Sequence, residues 1–190
     1  MGDPQLGFFD DAPKLPEGFR YQPDLITPDA ERLLVEQIQT LPFREFDFHG
    51  YKGKRRVVSF GWRYDFSKRT VFRADDIPDF LLALRATAAQ FGGLAPEALQ
   101  QVLVSEYSQG AGIGWHRDKA VFGDVIGVSL LSACDFRLRR KQGDTWERVT
   151  ITAEPRSAYL LRGLSRTEWE HSIPGVDALR YSITFRNLKD

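Results

Sequence analysis

The chain has 190 residues, 42% hydrophobic and 27% charged, with one cysteine, three histidines and a formal net charge of +0. That length suits one globular domain burying roughly 70% of its unfolded surface. The single Cys134 excludes an intrachain disulfide framework and every multi-cysteine zinc or iron–sulfur site, and three histidines make a three-His site require all of them at once.

No run approaches the roughly 18 consecutive apolar residues of a membrane span. The start, Met1 to Leu6, has neither the positive region nor the apolar core of a signal peptide, and Leu6 spoils a myristoylation pattern. With one thiol and no export signal the cytoplasm is the expected compartment, and a monomer is the expected state. The zero net charge hides segregation. Met1 to Glu31 carries seven acids against Lys14 and Arg20, whereas Gly50 to Arg73 carries eight bases against Asp65. A local basic stripe of this kind can meet phosphates although the whole chain is neutral.

In chain order, residues 1–26, with Pro4, Pro13, Pro16 and Pro23, read as an irregular arm. Thr27-Pro28-Asp29 supplies an N-cap, a proline at the first helical position and an acid in the first turn. Ala30, Leu33, Leu34, Ile38 and Leu41 then follow at helical spacing. A second helix begins near Pro78 and stops at Gly92-Gly93. The rest reads as short strands: Phe46 and Phe48, Val57 to Tyr64, Val102 to Tyr107, Val125 to Leu131, Phe136 to Leu138, Val149 to Thr152, Ala158 to Leu161 and Leu179 to Phe185. Helices first and many strands after them predict an α+β domain with an antiparallel sandwich or barrel, in one unit spanning 1–190.

Two patterns carry chemistry. In Trp115-His116-Arg117-Asp118 an extended backbone would put His116 and Asp118 on one face. His171 is the other histidine of the strand-rich half, and two histidines with one carboxylate form the facial triad of non-haem Fe(II) oxygenases. The last strand alternates cleanly: Leu179, Tyr181, Ile183 and Phe185 face one way, Arg180, Ser182, Thr184 and Arg186 the other. The two arginine backbones lie roughly 20 Å apart at about 3.3 Å per residue, and their side chains can converge on a small dianion.

Other features have plainer readings. Gln109 to Gly114 fails the dinucleotide-loop pattern, because Trp115 stands where its last glycine belongs. Arg137, Arg139, Arg140 and Lys141 read as a charge-protected edge strand or a phosphate contact. Cys134 reads as a buried small hydrophobe and His49 as a turn residue, with Trp115 and Trp169 packing near metal ligands. Trp146 falls in a turn with no role assigned.

Taken together, His116-x-Asp118, His171 and Arg180-x5-Arg186 resemble the AlkB family of Fe(II)- and 2-oxoglutarate-dependent dioxygenases. The resemblance runs from about residue 43 to 188. It implies a double-stranded β-helix (jelly-roll) core with N-terminal helices packed on one sheet. It also implies Fe(II), 2-oxoglutarate and O2 as cofactors, with His116, Asp118 and His171 ligating the iron. Arg180 would hold the distal carboxylate of 2-oxoglutarate, Arg186 would lie near its chelating end, and Tyr107 would donate a hydrogen bond to it. Ser105 and Ser182 stand where the family has asparagines. Residues 43–73 would form a substrate lid, with Trp62 and Tyr64 stacking on the base and Arg55 and Arg56 meeting phosphate. The implied reaction is oxidative dealkylation of an N-alkylated base in DNA or RNA, including repair of DNA alkylation damage, with loss of the alkyl group as aldehyde. Ala120 occupies the place of a base-reading carboxylate, which keeps a methylated protein or small molecule open as the target. A nucleic-acid-binding domain with a vestigial metal site is the remaining alternative.

Overall fold

The structure, a computed structural model, describes residues 14–48, 51–65 and 68–189. His49 lies outside the described residues. The expected first helix is α1 (Pro28–Ile38), where the Thr27 hydroxyl accepts the Ala30 amide at 3.2 Å. The second is α2 (Asp79–Gly92), closed by Gly93 at φ +65°. A one-turn α3 (Leu164–Thr167), which no periodicity announces, follows later.

Among the described residues there are thirteen strands. They are β1 (Phe19–Gln22), β2 (Arg44–Phe48), β3 (Tyr51–Phe60), β4 (Trp62–Asp65), β5 (Thr70–Arg73), β6 (Gln101–Tyr107) and β7 (Ile113–His116). Then come β8 (Phe122–Leu130), β9 (Cys134–Gln142), β10 (Thr145–Ala153), β11 (Ala158–Leu161), β12 (Glu170–Ile173) and β13 (Arg180–Leu188). A seven-stranded major sheet has the order β1-β11-β8-β13-β6-β3-β2, a four-stranded minor sheet β10-β9-β12-β7, and β4 pairs with β5 apart from both. Every pairing is antiparallel, and the two facing sheets form a jelly roll.

Several expectations need correction. The irregular arm contains β1, which pairs with β11 and buries Phe19 against Phe136 and Tyr159. The single run Val57 to Tyr64 is two strands, broken at Gly61. That residue has φ +74°, and a Cβ on it would run into the Gln100 carbonyl. Of the expected lid, β3 belongs to the major sheet through its pairing with β6, leaving β4 and β5 as the separate hairpin. The arginine-rich β9 is no edge, since it lies between β10 and β12. Trp146 is in β10, not in the turn.

β13 sits centrally and separates two cores. Its Tyr181, Ile183 and Phe185 pack with Val102, Val104, Ile126 and Val128 against Leu34 and Ile38 of α1 and Leu81 and Leu84 of α2. Its other face turns toward the minor sheet, where Phe136, Leu138, Tyr159 and Trp169 form the second core. In register with that polar face, Arg180, Ser182, Thr184 and Arg186 stand opposite Tyr107, Ser105, Leu103 and Gln101 of β6. Alternation along one strand thus supplies both an apolar foundation and a polar floor.

Gly127 makes room on this floor. Tyr159, its partner on β11, leans across it so closely that a Cβ there would overlap the phenol ring and oxygen. Gly127→Ala should therefore lower stability by about 1–3 kcal/mol through overpacking. Urea unfolding checks this, and an unchanged midpoint would mean that Tyr159 can swing aside without cost.

Candidate metal and cosubstrate site

Strand pairing brings the two histidines together. His116 on β7 and His171 on β12 are direct cross-strand partners, and their ring centroids lie 4.2 Å apart. Asp118 follows β7 immediately and places Oδ2 3.6 Å from His171 Nε2. One nitrogen or oxygen from each of the three side chains falls within 4.8 Å of the others. Separations of this size suit three ligands around one divalent ion, with one face left open.

Hydrogen bonds fix which atoms are offered. His116 Nδ1 lies 2.8 Å from the Gly114 carbonyl, and donating its proton there leaves the Nε2 lone pair for a metal. Arg186 Nε and Nη2 both reach Asp118 Oδ1 at 2.7 Å, so Oδ2 is left toward His171. Arg186 Nη1 donates to Gln101 Oε1 at 2.8 Å, which completes its anchorage.

Protonation states follow from the same packing. Burial pushes His171 down to about 3, helped by His116 and opposed by the Asp118 carboxylate. Burial also lowers His116, against the pull of its Gly114 hydrogen bond and Asp118. For Asp118 burial alone would raise the carboxyl. Arg186, His171 and His116 outweigh it and hold the group well below the usual carboxylate range. Neutral imidazoles and an ionised carboxylate at neutral pH are the states that a metal requires.

A pocket of about 370 Å³, open solvent at its mouth included, adjoins the three side chains. Its lining contains Ser105, Tyr107, Ser182 and Arg186, all expected from the sequence, together with Arg55, Tyr159 and Thr184. Arg180, two residues before Ser182, is completely buried and not itself in the lining, with its guanidinium 5.1 Å from the Tyr107 ring centroid. Its Nε donates to Ser129 Oγ at 3.0 Å, while Nη1 and Nη2 have no hydrogen-bond partner among the described residues. A buried guanidinium with two unmet donors is costly, and a planar carboxylate is the partner that its fork fits. The residues present therefore suit both Fe(II) and the dicarboxylate 2-oxoglutarate.

The outer contacts differ from expectation. Consecutive strand residues face opposite ways, so Arg55 and Arg56 cannot act together. Arg55 is 7% exposed in the pocket wall, beside Tyr107. Arg56 lies on the far face, paired with Glu106 at 2.7 Å and resting over Phe43, away from the metal ligands. Arg55 is buried, and the exposed Arg56 is already paired with Glu106. Trp62 and Tyr64 are half-buried on the β4–β5 hairpin and are not among the pocket-lining residues. Tyr64 instead lies 5.4 Å under Lys119 Nζ, one residue past Asp118, so the hairpin touches the metal loop.

Sequence reading missed four contributors. Gln101 shares the strand parity of Ser105 and Tyr107, a signal that could have marked it. Ser129 and Tyr159 become visible only once the register of β8, β11 and β13 is known. Arg166 of α3 donates to the carbonyls of Lys119, Phe122 and Gly123, which fixes the loop after Asp118. Nothing in its sequence context predicts that.

The Asp118–Arg186 pair is testable without any ligand. Their side chains are 6% and 10% exposed, so removing one partner strands a buried charge. Asp118→Ala should destabilise the metal-free protein by about 3–5 kcal/mol, and adding Arg186→Met should recover much of the loss. Urea unfolding of the single and double variants measures the coupling; additive losses would contradict it.

Comparison with known proteins agrees with this geometry. Residues 18–186 match the model of the 2OG-Fe(II) oxygenase superfamily. An Arabidopsis thaliana protein named as an alkylated DNA repair protein ALKBH8 homolog is 30% identical over 195 residues, covering 88% of this chain and 54% of that protein. The Xenopus tropicalis tRNA (carboxymethyluridine(34)-5-O)-methyltransferase alkbh8 is 25% identical over 173 residues, covering 85% of this chain and 26% of that protein. The chain thus spans about half the length of the first of these relatives. The structure of OsALKBH1 superposes with a TM-score of 0.71 at 18% identity, covering 92% of this chain and 98% of that one, which shows a shared fold. With a family match over nearly its whole length and the ligand set in place, the chain belongs to the 2OG-Fe(II) oxygenase superfamily, as an AlkB-like dioxygenase.

Proposed function

We propose that this dioxygenase removes N-alkyl groups from bases in DNA or RNA, within a chain that folds as one unit. The observation that carries the site assignment is the triad in a pocket lined by Tyr107, over whose ring Arg180 lies at 5.1 Å with Nη1 and Nη2 unpartnered among the described residues. When bound, Fe(II) with 2-oxoglutarate and O2 supplies oxidation of a substrate C–H bond, with release of succinate and CO2.

The protein's own part is placement. His116, Asp118 and His171 hold the metal, and Arg186 keeps the Asp118 carboxylate ionised and aimed. Arg180 grips the distal carboxylate of the cosubstrate. Tyr107, Ser105 and Ser182 line the space between the two ends and offer hydroxyls to it. The apolar second core around the pocket keeps water from the reacting atoms. Hydroxylation of an N-alkyl carbon leaves an unstable product that releases the group as aldehyde.

Nucleic acid is supported as the substrate class by the names of the relatives, one a DNA repair homolog and another a tRNA modifier. In this reading Tyr64, with Lys119 Nζ 5.4 Å from its ring, and Trp62 on the same hairpin would receive the base. Arg56 has no place in this reading, because its partner is Glu106.

Succinate release tests the proposal. The Fe(II)-loaded protein should turn over 2-oxoglutarate several-fold faster with N-methylated DNA or RNA oligonucleotides than with unmethylated ones. Stimulation by a methylated peptide, with no response to any oligonucleotide, would move the substrate to protein.

A further inference from the structure

The outer face of the minor sheet, turned away from the pocket, carries an unusual set of side chains. Trp115 of β7, Arg137 and Arg139 of β9, and Trp146 and Arg148 of β10 share it by strand parity and register. Arg139 lies 4.4 Å from the Trp115 ring centroid and 4.1 Å from that of Trp146, an alternating stack. Arg137 also rests over Trp115, at 5.1 Å. Trp146 remains 36% exposed and Arg148 is exposed.

Charge on this face is unbalanced. Arg139 pairs with Glu170 at 2.7 Å, while Arg137 Nε donates to the Ser172 hydroxyl and has no ion pair among the described residues. Arg148 has no ion pair among the described residues, and Lys141 adds a further base near the hairpin. Asp135 is the other acid of the face, at its opposite end. Moreover, Arg139 and Arg148 are direct cross-strand partners, a like-charge pairing that ordinarily destabilises a sheet. Glu170, the partner of Arg139 on its other side, offsets that charge and leaves Arg148 uncompensated among the described residues.

We infer that this face is a docking surface for a single-stranded nucleic acid, with Arg148 and Arg137 meeting phosphates and Trp146 stacking on a base. Alternating cations and aromatic rings are the chemistry of strand-tracking surfaces. The surface reaches the active site around the β7 edge. Trp115 is adjacent to His116 on the edge strand β7, and β10 lies three strand spacings away, about 14 Å. A strand whose target base enters the pocket can cross β7 and continue over this face. The inference rests on the nucleic-acid reading of the substrate and extends the footprint beyond the pocket.

Fluorescence anisotropy with a labelled single-stranded 12-mer, as RNA and as DNA, tests it on the full chain. Trp146→Ala should weaken binding by about tenfold. Arg148→Glu should also weaken it and lower the log–log salt slope by about one. Arg148→Gln should act in the same direction with less effect. Succinate release with a methylated mononucleoside should be unchanged in all three, since none touches the site. An unaltered affinity and salt slope in these variants, with firm binding by the parent protein, would overturn the docking surface and leave the substrate proposal standing. No binding of any oligonucleotide by the parent would overturn both. Equal competition by polyglutamate at matched charge would mean a general anion surface and would overturn the nucleic-acid assignment.

Discussion

The ion pair between Arg186 and Asp118 joins the two sheets at the point where the metal ligands meet. Arg186 comes from the central strand of the major sheet, and Asp118 follows an edge strand of the minor one. Because both side chains are buried, neither can relax toward water, and the carboxylate is held charged and oriented before any ligand arrives. His116 and His171 need only a two-strand pairing to approach each other. Asp118 needs the opposite sheet, so the facial triad depends on the closure of the whole jelly roll.

The same strand carries the residues proposed to hold the cosubstrate. Arg186 near one end of the strand pairs with Asp118, Arg180 at the other is buried with Nη1 and Nη2 unpartnered among the described residues, and Ser182 and Thr184 lie between them in the strand. Carrying two buried arginines on one strand is costly in a core. The apolar face of that strand offsets the cost, since Tyr181, Ile183 and Phe185 lock it against both helices. Function and stability thus come from opposite faces of nine consecutive residues.

Much of this was legible in the sequence, for definable reasons. The alternation of Leu179 to Arg186 is strict, so its two faces could be assigned before any coordinates. The Thr27 cap and the Gly93 stop mark their helices by local chemistry alone. His116-x-Asp118 and His171 were legible as a combination. What could not be read depends on register. Arg55 and Arg56 look equivalent in a basic run, yet strand geometry sends one into the pocket wall and the other to Glu106. Four-residue strands such as β1, β5 and β12 are too short for periodicity to declare. The stack of Trp115, Arg139 and Trp146 draws on three strands and is invisible in any one of them.

A crystal structure of the protein with Mn(II) and N-oxalylglycine, a non-reactive stand-in for 2-oxoglutarate, tests the central claim most directly. The expected result is the metal on His116 Nε2, Asp118 Oδ2 and His171 Nε2, with the distal carboxylate held by Nη1 and Nη2 of Arg180. A distal carboxylate bound instead to Arg55, or a metal that leaves Asp118 uncoordinated, would contradict it.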